Sequence, residues 1–289
     1  MHDGKWILIA ALLQSPALAQ SAPAPPAPEN QPARADLTEP RRLVREGKYP
    51  EAEQALAAIQ QTYPDDPALL LLRGEVLLAL GHADQAIPIL RHSIEIDPQK
   101  ARTHFQLGSG LATLGDRAGA LEAFAKELEI NQDAEVKVMA HLNRALLFQQ
   151  DKRWSEAASD LEAVLALQPA RKEAYGDLAA VYIEAGRVED ARGALERGVA
   201  AGLEAGKHFN ALGAQLYRNQ HFAEAEAAFR RALELEPGLA DAERSLAAAL
   251  DQLGKKQEAN QHLRRYLELA PGAPDAAKVA ERLKSEKAR

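Results

Sequence analysis

The sequence predicts an all-α fold made by stacking helical hairpins, and three observations carry that expectation. β-Branched residues are scarce, with 9 Val, 9 Ile and 4 Thr among 289 residues, too few for the pleated, half-buried surface of a sheet. Ala, Leu, Glu, Arg and Gln, all good helix formers, are abundant throughout. From Ala33 onward the residue pattern repeats every 34 positions, which is the length of a two-helix repeat.

Composition narrows the function classes. Hydrophobic residues make up 46% and charged residues 27%, enough apolar material for a folded rather than a disordered chain. The net charge is −7 and the pI about 5.7. No stretch concentrates Lys or Arg as a nucleic-acid surface would require. Cysteine is absent, which excludes disulfides, thiolate metal sites, cysteine nucleophiles and a lipidated N-terminal cysteine but leaves the redox compartment undetermined.

At the N-terminus, Lys5 precedes the apolar run Trp6 to Leu13, and Pro16 precedes Ala17-Leu18-Ala19. That order reads as a signal peptide over residues 1–19 with cleavage after Ala19, hence an exported protein, periplasmic if the source is Gram-negative and otherwise secreted. The alternative is an uncleaved anchor, but a spanning helix needs about 20 apolar residues and this run breaks at Gln14, Ser15 and Pro16. Residues 20–35 are rich in Pro and Ala, with five of each between Ser21 and Ala35, and read as an extended linker that cannot bury a core.

The period itself is defined by five series. Ala52, Ala86, Ala120, Ala157, Ala191, Ala225 and Ala259 recur, the fourth after a three-residue slip. Four residues after each comes Leu56, Leu90, Phe124, Leu161, Leu195, Phe229 or Leu263; nine before comes Leu43, Leu77, Leu111, Phe148, Tyr182, Leu216 or Leu250. Gly47, Gly81, Gly115, Gly186 and Gly254 stand five before the alanine, with Lys152 and Gln220 as exceptions, and Pro64, Pro98, Pro169, Pro237 and Pro271 stand twelve after it. The glycines suit left-handed C-caps between the helices and the prolines stop the second helix. Small residues on the first helix (Gly74, Gly108, Ala145, Ala179, Gly213, Ala247) are expected to face the alanine series on the second, and a larger side chain there would hold the helices apart.

These offsets resemble the tetratricopeptide repeat family. The resemblance implies a right-handed superhelical solenoid of seven units, at 33–66, 67–100, 101–134, 138–171, 172–205, 206–239 and 240–273, followed by a capping helix and tail over 274–289. Pro40 predicts a short or broken first helix in unit one. Val279 and Leu283 form the single apolar stripe of the C-terminal cap. Glu135-Val136-Lys137 is expected to lengthen a connection, and Gly198, Gly202 and Gly206 to mark a frayed helix end or, alternatively, a hinge. Trp154 is placed in a turn, as a packing residue.

No phosphate-cradling G-x-x-x-x-G-K-[ST], no G-x-G-x-x-G and no G-x-S-x-G occurs, and none of the eight histidines has an i, i+4 partner of the kind a helical zinc site uses. His104 and His141 share one repeat position, read as a packing position between helices. No catalysis, cofactor or metal is expected. The resemblance implies a ligand-binding groove lined by the first helix of each unit, which places Arg102, Phe105, Gln106, Asn143, Leu146, Gln149, Asn210, Tyr217, Arg218 and Arg244 on it, with Phe105, Leu146 and Tyr217 as apolar anchors and the amides available to a peptide backbone. The carboxylate clamp of some members is not expected, because Glu173 and Asp177 stand where its cations belong. The expected function is an exported scaffold or adaptor binding a protein or peptide, without nucleic acid or, after cleavage, a membrane span. The alternatives are an accessory of envelope polysaccharide assembly that contacts glycan, and self-assembly through a terminal segment.

Overall fold

The computed structural model describes residues 34–287; the segment read as a signal peptide and most of the linker lie outside them. Among the described residues there are fifteen α-helices and no strand. The chain divides into two compact units, with the boundary between Gln150 and Asp151. The first holds α1 (Thr38–Arg45), α2 (Tyr49–Gln60), α3 (Pro67–Ala79), α4 (Ala83–Ile96), α5 (Thr103–Thr113), α6 (Arg117–Ile130) and α7 (Ala134–Gln150). The second holds α8 (Trp154–Leu167), α9 (Lys172–Glu184), α10 (Val188–Ala200), α11 (Gly206–Arg218), α12 (Phe222–Leu235), α13 (Ala240–Gln252), α14 (Lys256–Leu269) and α15 (Ala276–Lys287). None is long and apolar enough to cross a membrane among the described residues.

The hairpin turns at Gly47, Gly81, Gly115, Gly186 and Gly254 are made the same way. At Gly115, φ is +83°; its N–H donates to Ala112 O at 3.1 Å and the Asp116 N–H to Leu111 O at 2.9 Å, so two carbonyls at the end of α5 are satisfied by a left-handed cap. The series nine before the alanine thus supplies an acceptor carbonyl as well as an apolar side chain. Gln220 holds the same geometry without glycine, with φ at +64° and the His221 N–H bonded to Leu216 O at 3.0 Å, and Lys152 sits at +57°. The second helices end just as regularly. Asp97, Gln168 and Glu236 each leave the helix at φ −134° immediately before a proline, as the proline ring disfavours the helical region for the preceding residue.

The core is the fit of a large side chain on the second helix into a gap on the first. Ala52, Ala86, Ala120, Ala157, Ala191, Ala225 and Ala259 are all 0% exposed, yet they are not what fills the gaps left by the first-helix glycines. A Cβ on Gly74 would lie 2.4 Å from Leu90 Cδ2, one on Gly108 2.8 Å from the Phe124 ring, and one on Gly213 2.6 Å from the Phe229 ring. The expected glycine-to-alanine facing is therefore corrected: the glycines receive the Leu/Phe series, and the alanines let the backbones come close enough for that to happen.

Three local expectations also change. Glu135-Val136-Lys137 does not lengthen a connection; it extends α7 at its N-terminal end, where Asp133 Oδ1 accepts the Glu135 N–H at 2.8 Å and Val136 is buried. The repeat's proline is replaced by Gln132 here, so nothing bars the helix from starting early. Trp154 opens α8 rather than lying in the turn. The glycine-rich 198–206 stretch is closed, not frayed: the Leu203 N–H donates to Gly198 O at 2.8 Å, and Cβ atoms on Gly198 and Gly206 would come 2.9 Å from Tyr175 and 2.7 Å from Glu236. α1 is short, as Pro40 implies, at 8 residues.

In the second unit a repeated polar contact supplements the core. Arg197 lies over Tyr175 at 5.5 Å and pairs with Glu162 at 2.7 Å; 34 positions on, Arg231 lies over Phe209 at 5.9 Å and pairs with Glu196 at 3.0 Å. Each arginine ties its helix to the second helix of the preceding hairpin. The pairs are half-exposed, so each stabilises by less than about 1 kcal/mol.

Two substitutions separate the packing term from the backbone term. Gly213→Ala is expected to destabilise by about 1 to 3 kcal/mol through collision with Phe229, whereas Gln220→Gly, which relieves a left-handed backbone, is expected to stabilise by about 1 kcal/mol. Denaturant unfolding of both measures them; a neutral Gly213→Ala would mean the ring has room to move.

Candidate protein-binding faces

Within each unit the first helices of neighbouring hairpins touch one another, α3 with α5 and α5 with α7 in the first, α9 with α11 and α11 with α13 in the second. The side chains they present form a face in each unit.

In the first unit much of that face is closed by its own contacts. Glu75 on α3, 4% exposed, accepts a hydrogen bond from Gln106 Nε2 at 3.1 Å and lies 3.6 Å from Arg102 Nη2. Burial pushes the Glu75 carboxyl above its ordinary value of 4.5, and Arg102, Gln106 and Arg41 only partly oppose this. Arg102 precedes α5 with φ at +75°. That unusual backbone is held by Glu127 on α6, whose fully buried carboxylate accepts the Arg102 N–H at 2.7 Å and the Phe105 N–H at 3.0 Å. α5 thus gets its N-terminal cap from the neighbouring helix rather than from its own N-cap side chain.

Two residues expected on the groove must be moved off it. Phe105 is 1% exposed and packs against Phe124 with ring centroids 5.6 Å apart. It lies three residues before Gly108, on the same stripe of α5, and that stripe faces α6. Gln106 is 4% exposed and spends its amide on Glu75, so it offers nothing to a peptide backbone. Asn143, Leu146 and Gln149 on α7 are half-buried. Asn143 Nδ2 donates to Met139 O at 2.8 Å, which leaves its carbonyl side for a ligand.

The second unit's face is more open. Tyr217 is half-buried and stacks edge-on against Phe222, centroids 5.2 Å apart, beside exposed Arg218, which bonds Gln215. Asn210 Oδ1 is shielded from solvent and accepts no hydrogen bond among the described residues. Arg244 is engaged rather than free: it bonds Asp275 Oδ2 at 3.0 Å and lies over Tyr266 at 5.7 Å. Asp251, on the same helix, is bonded by Arg282.

Of the ten residues, then, Asn143, Leu146 and Gln149 lie together on α7, and Asn210, Tyr217 and Arg218 on α11. The roles of Glu127, Asp275 and Arg282 escaped sequence reasoning. The last two carried a faint signal, since Arg244/Asp275 and Asp251/Arg282 are both separated by 31 positions. Of the position shared by two histidines, His104 Nε2 lies 3.1 Å from Pro98 O, and Tyr175 there bonds Pro169 O at 3.1 Å. It is a tie to the preceding hairpin. Among the described residues no three His, Cys, Asp or Glu side chains converge as a metal would require.

Family models described as tetratricopeptide repeat match residues 43–107, 148–216 and 210–274. The chain belongs to the tetratricopeptide repeat family. Tetratricopeptide repeat-containing protein trd-1 of Caenorhabditis elegans is 26% identical over 180 residues, which is 62% of this chain and 18% of that protein. The C-terminal part of a TPR repeat-containing protein from Cytophaga hutchinsonii matches with a TM-score of 0.65 at 13% identity, covering 84% of this chain and 99% of that one; at that identity the likeness concerns the fold. A tetratricopeptide repeat of this kind is a scaffold for protein interaction in general.

The buried Glu75 sets a pH dependence. Its folded pKa is raised, so the folded state keeps a proton that the unfolded chain has released, and Glu75 subtracts stability as pH rises from 4.5 through the raised value. Glu75→Gln does not titrate. Its stability relative to the parent is expected to climb between pH 4 and pH 7 in urea unfolding; a flat difference would remove the assignment.

Proposed function

We propose that this protein is an exported scaffold that captures a protein or peptide segment on its first-helix faces and has no catalytic role. One observation carries the reading: α7 carries Leu146 with Asn143 and Gln149 three positions to either side, and in the other unit α11 carries Tyr217 with Asn210 and Arg218, so each face sets an apolar residue among polar ones. An extended segment presents backbone N–H and C=O groups at regular intervals, and such polar groups bond them while the apolar residue takes a side chain. Family membership supports protein interaction in general. Export rests on the order of charge, apolar run and Ala17-Leu18-Ala19 in residues 1–19. A glycan ligand would be expected to stack on aromatic platforms, and with Phe105 inside the hairpin only Tyr217 of the two expected platforms is left.

Crosslinked pull-down from the native envelope tests this. The parent chain is expected to retain a stoichiometric protein partner, and Leu146→Glu or Tyr217→Ala with Arg218→Ala to lose it about 10-fold or more, since truncating one anchor costs about 2 kcal/mol. Equal capture by the parent and both variants would direct the search to another surface.

A further inference from the structure

α15 meets α13 through two charge pairs in register. Arg244 and Asp251 lie seven residues apart on α13, two turns of one face, and Asp275, just before α15, lies seven residues before Arg282. Arg244 Nη1 donates to Asp275 Oδ2 at 3.0 Å, and Arg282 makes two bonds to Asp251, 2.6 and 2.7 Å long. The Tyr266 hydroxyl bonds the other oxygen of Asp275. Arg then Asp on one side meets Asp then Arg on the other. The two segments run in the same direction, and a slip of two turns would set Arg282 beside Arg244.

Little apolar surface backs these contacts. Among the α15 residues whose side chains are described, Ala276 alone is buried, while Val279, Ala280, Arg282 and Leu283 are half-buried and the rest exposed. The side chains of the pairs are 36% and 24% exposed for Arg282 and Asp251, and 49% and 35% for Arg244 and Asp275. The connection from α14 is the six residues Ala270 to Asp275, with Pro271, Gly272 and Pro274. A terminal helix with one buried residue, a half-buried apolar stripe and partly exposed ion pairs belongs to the low-stability end of a structure.

We propose that α15 is a releasable latch over a helix-binding site on α13 and α14. The partner that fits is an amphipathic helix with an acidic residue at its N-terminal end and an arginine two turns later, running in α15's direction and taking its place on Arg244, Tyr266 and Asp251. The proposal rests on the reading that first-helix faces bind protein segments. While α15 is docked, such a partner competes with a tethered segment at an effective concentration in the millimolar range, so its apparent affinity falls by the fraction of molecules that are open.

The test uses the full chain and a labelled synthetic peptide of residues 274–287. Arg282→Glu turns the tethered helix against Asp251 but leaves the site intact for the peptide, which keeps its arginine. The peptide is expected to bind this variant at least ten-fold more tightly than the parent, and amides 277–287 to lose hydrogen-exchange protection. Adding Asp251→Arg restores the internal pair and opposes the peptide, so affinity is expected to return to the parent's level or below and protection to recover. Unchanged protection in the single variant, or a released α15 with no gain in peptide affinity, would overturn the latch. Because the probe is the chain's own segment, that failure leaves partner capture by α7 and α11 standing, and failed capture leaves the latch result intact.

Discussion

Two helices approach only as closely as the smallest side chains between them allow, and everything else in this molecule follows from how the chain meets that limit. Gly74, Gly108 and Gly213 open a notch on a first helix, and Leu90, Phe124 and Phe229 on the matching second helix fill it. The invariably buried alanines then bring the two backbones together. Burying one such Leu or Phe contributes roughly 1.5 to 3 kcal/mol, and the contribution recurs in each hairpin. With the hairpin interior fixed, the remaining face of its first helix is the one proposed to meet a partner.

The polar groups divide into those that hold this arrangement and those left over. Glu127 caps α5 from a neighbouring helix, Arg197 and Arg231 bridge successive hairpins, and Glu75 is locked between Arg102 and Gln106. Glu127 and Glu75 cannot turn to a ligand without disturbing a buried contact, which costs more than the bond itself contributes, while the two arginine pairs are half-exposed. The side chains proposed to meet a peptide segment lie elsewhere, Asn143, Leu146 and Gln149 on α7 and Asn210, Tyr217 and Arg218 on α11.

The hairpins were legible in the sequence because their causes are local. A left-handed turn favours glycine, a proline disfavours the helical conformation in the residue before it, and an amphipathic stripe has a 3.6-residue period; each leaves its mark at a fixed offset. The site was legible only in part. Repeat position told where Leu146 and Tyr217 would lie, but placed Phe105 on the same face although its stripe of α5 turns toward α6. The same reasoning read the extra Glu135-Val136-Lys137 as loop, because a change of length in a repeat does not reveal whether a helix or a connection absorbs it.

The sequence by itself determined the all-helical class, the repeat length, the turn chemistry and the identity of the buried series, since all of these depend on a residue's near neighbours in the chain and on its place in the period. Only the tertiary structure decided which carboxylates are buried, that Glu127 caps α5, and that Asp275 and Arg282 engage α13. Those outcomes depend on groups 22 to 31 positions apart. At that distance a Glu or Arg looks the same in the chain whether it ends in solvent or against an opposite charge, and only packing chooses between them.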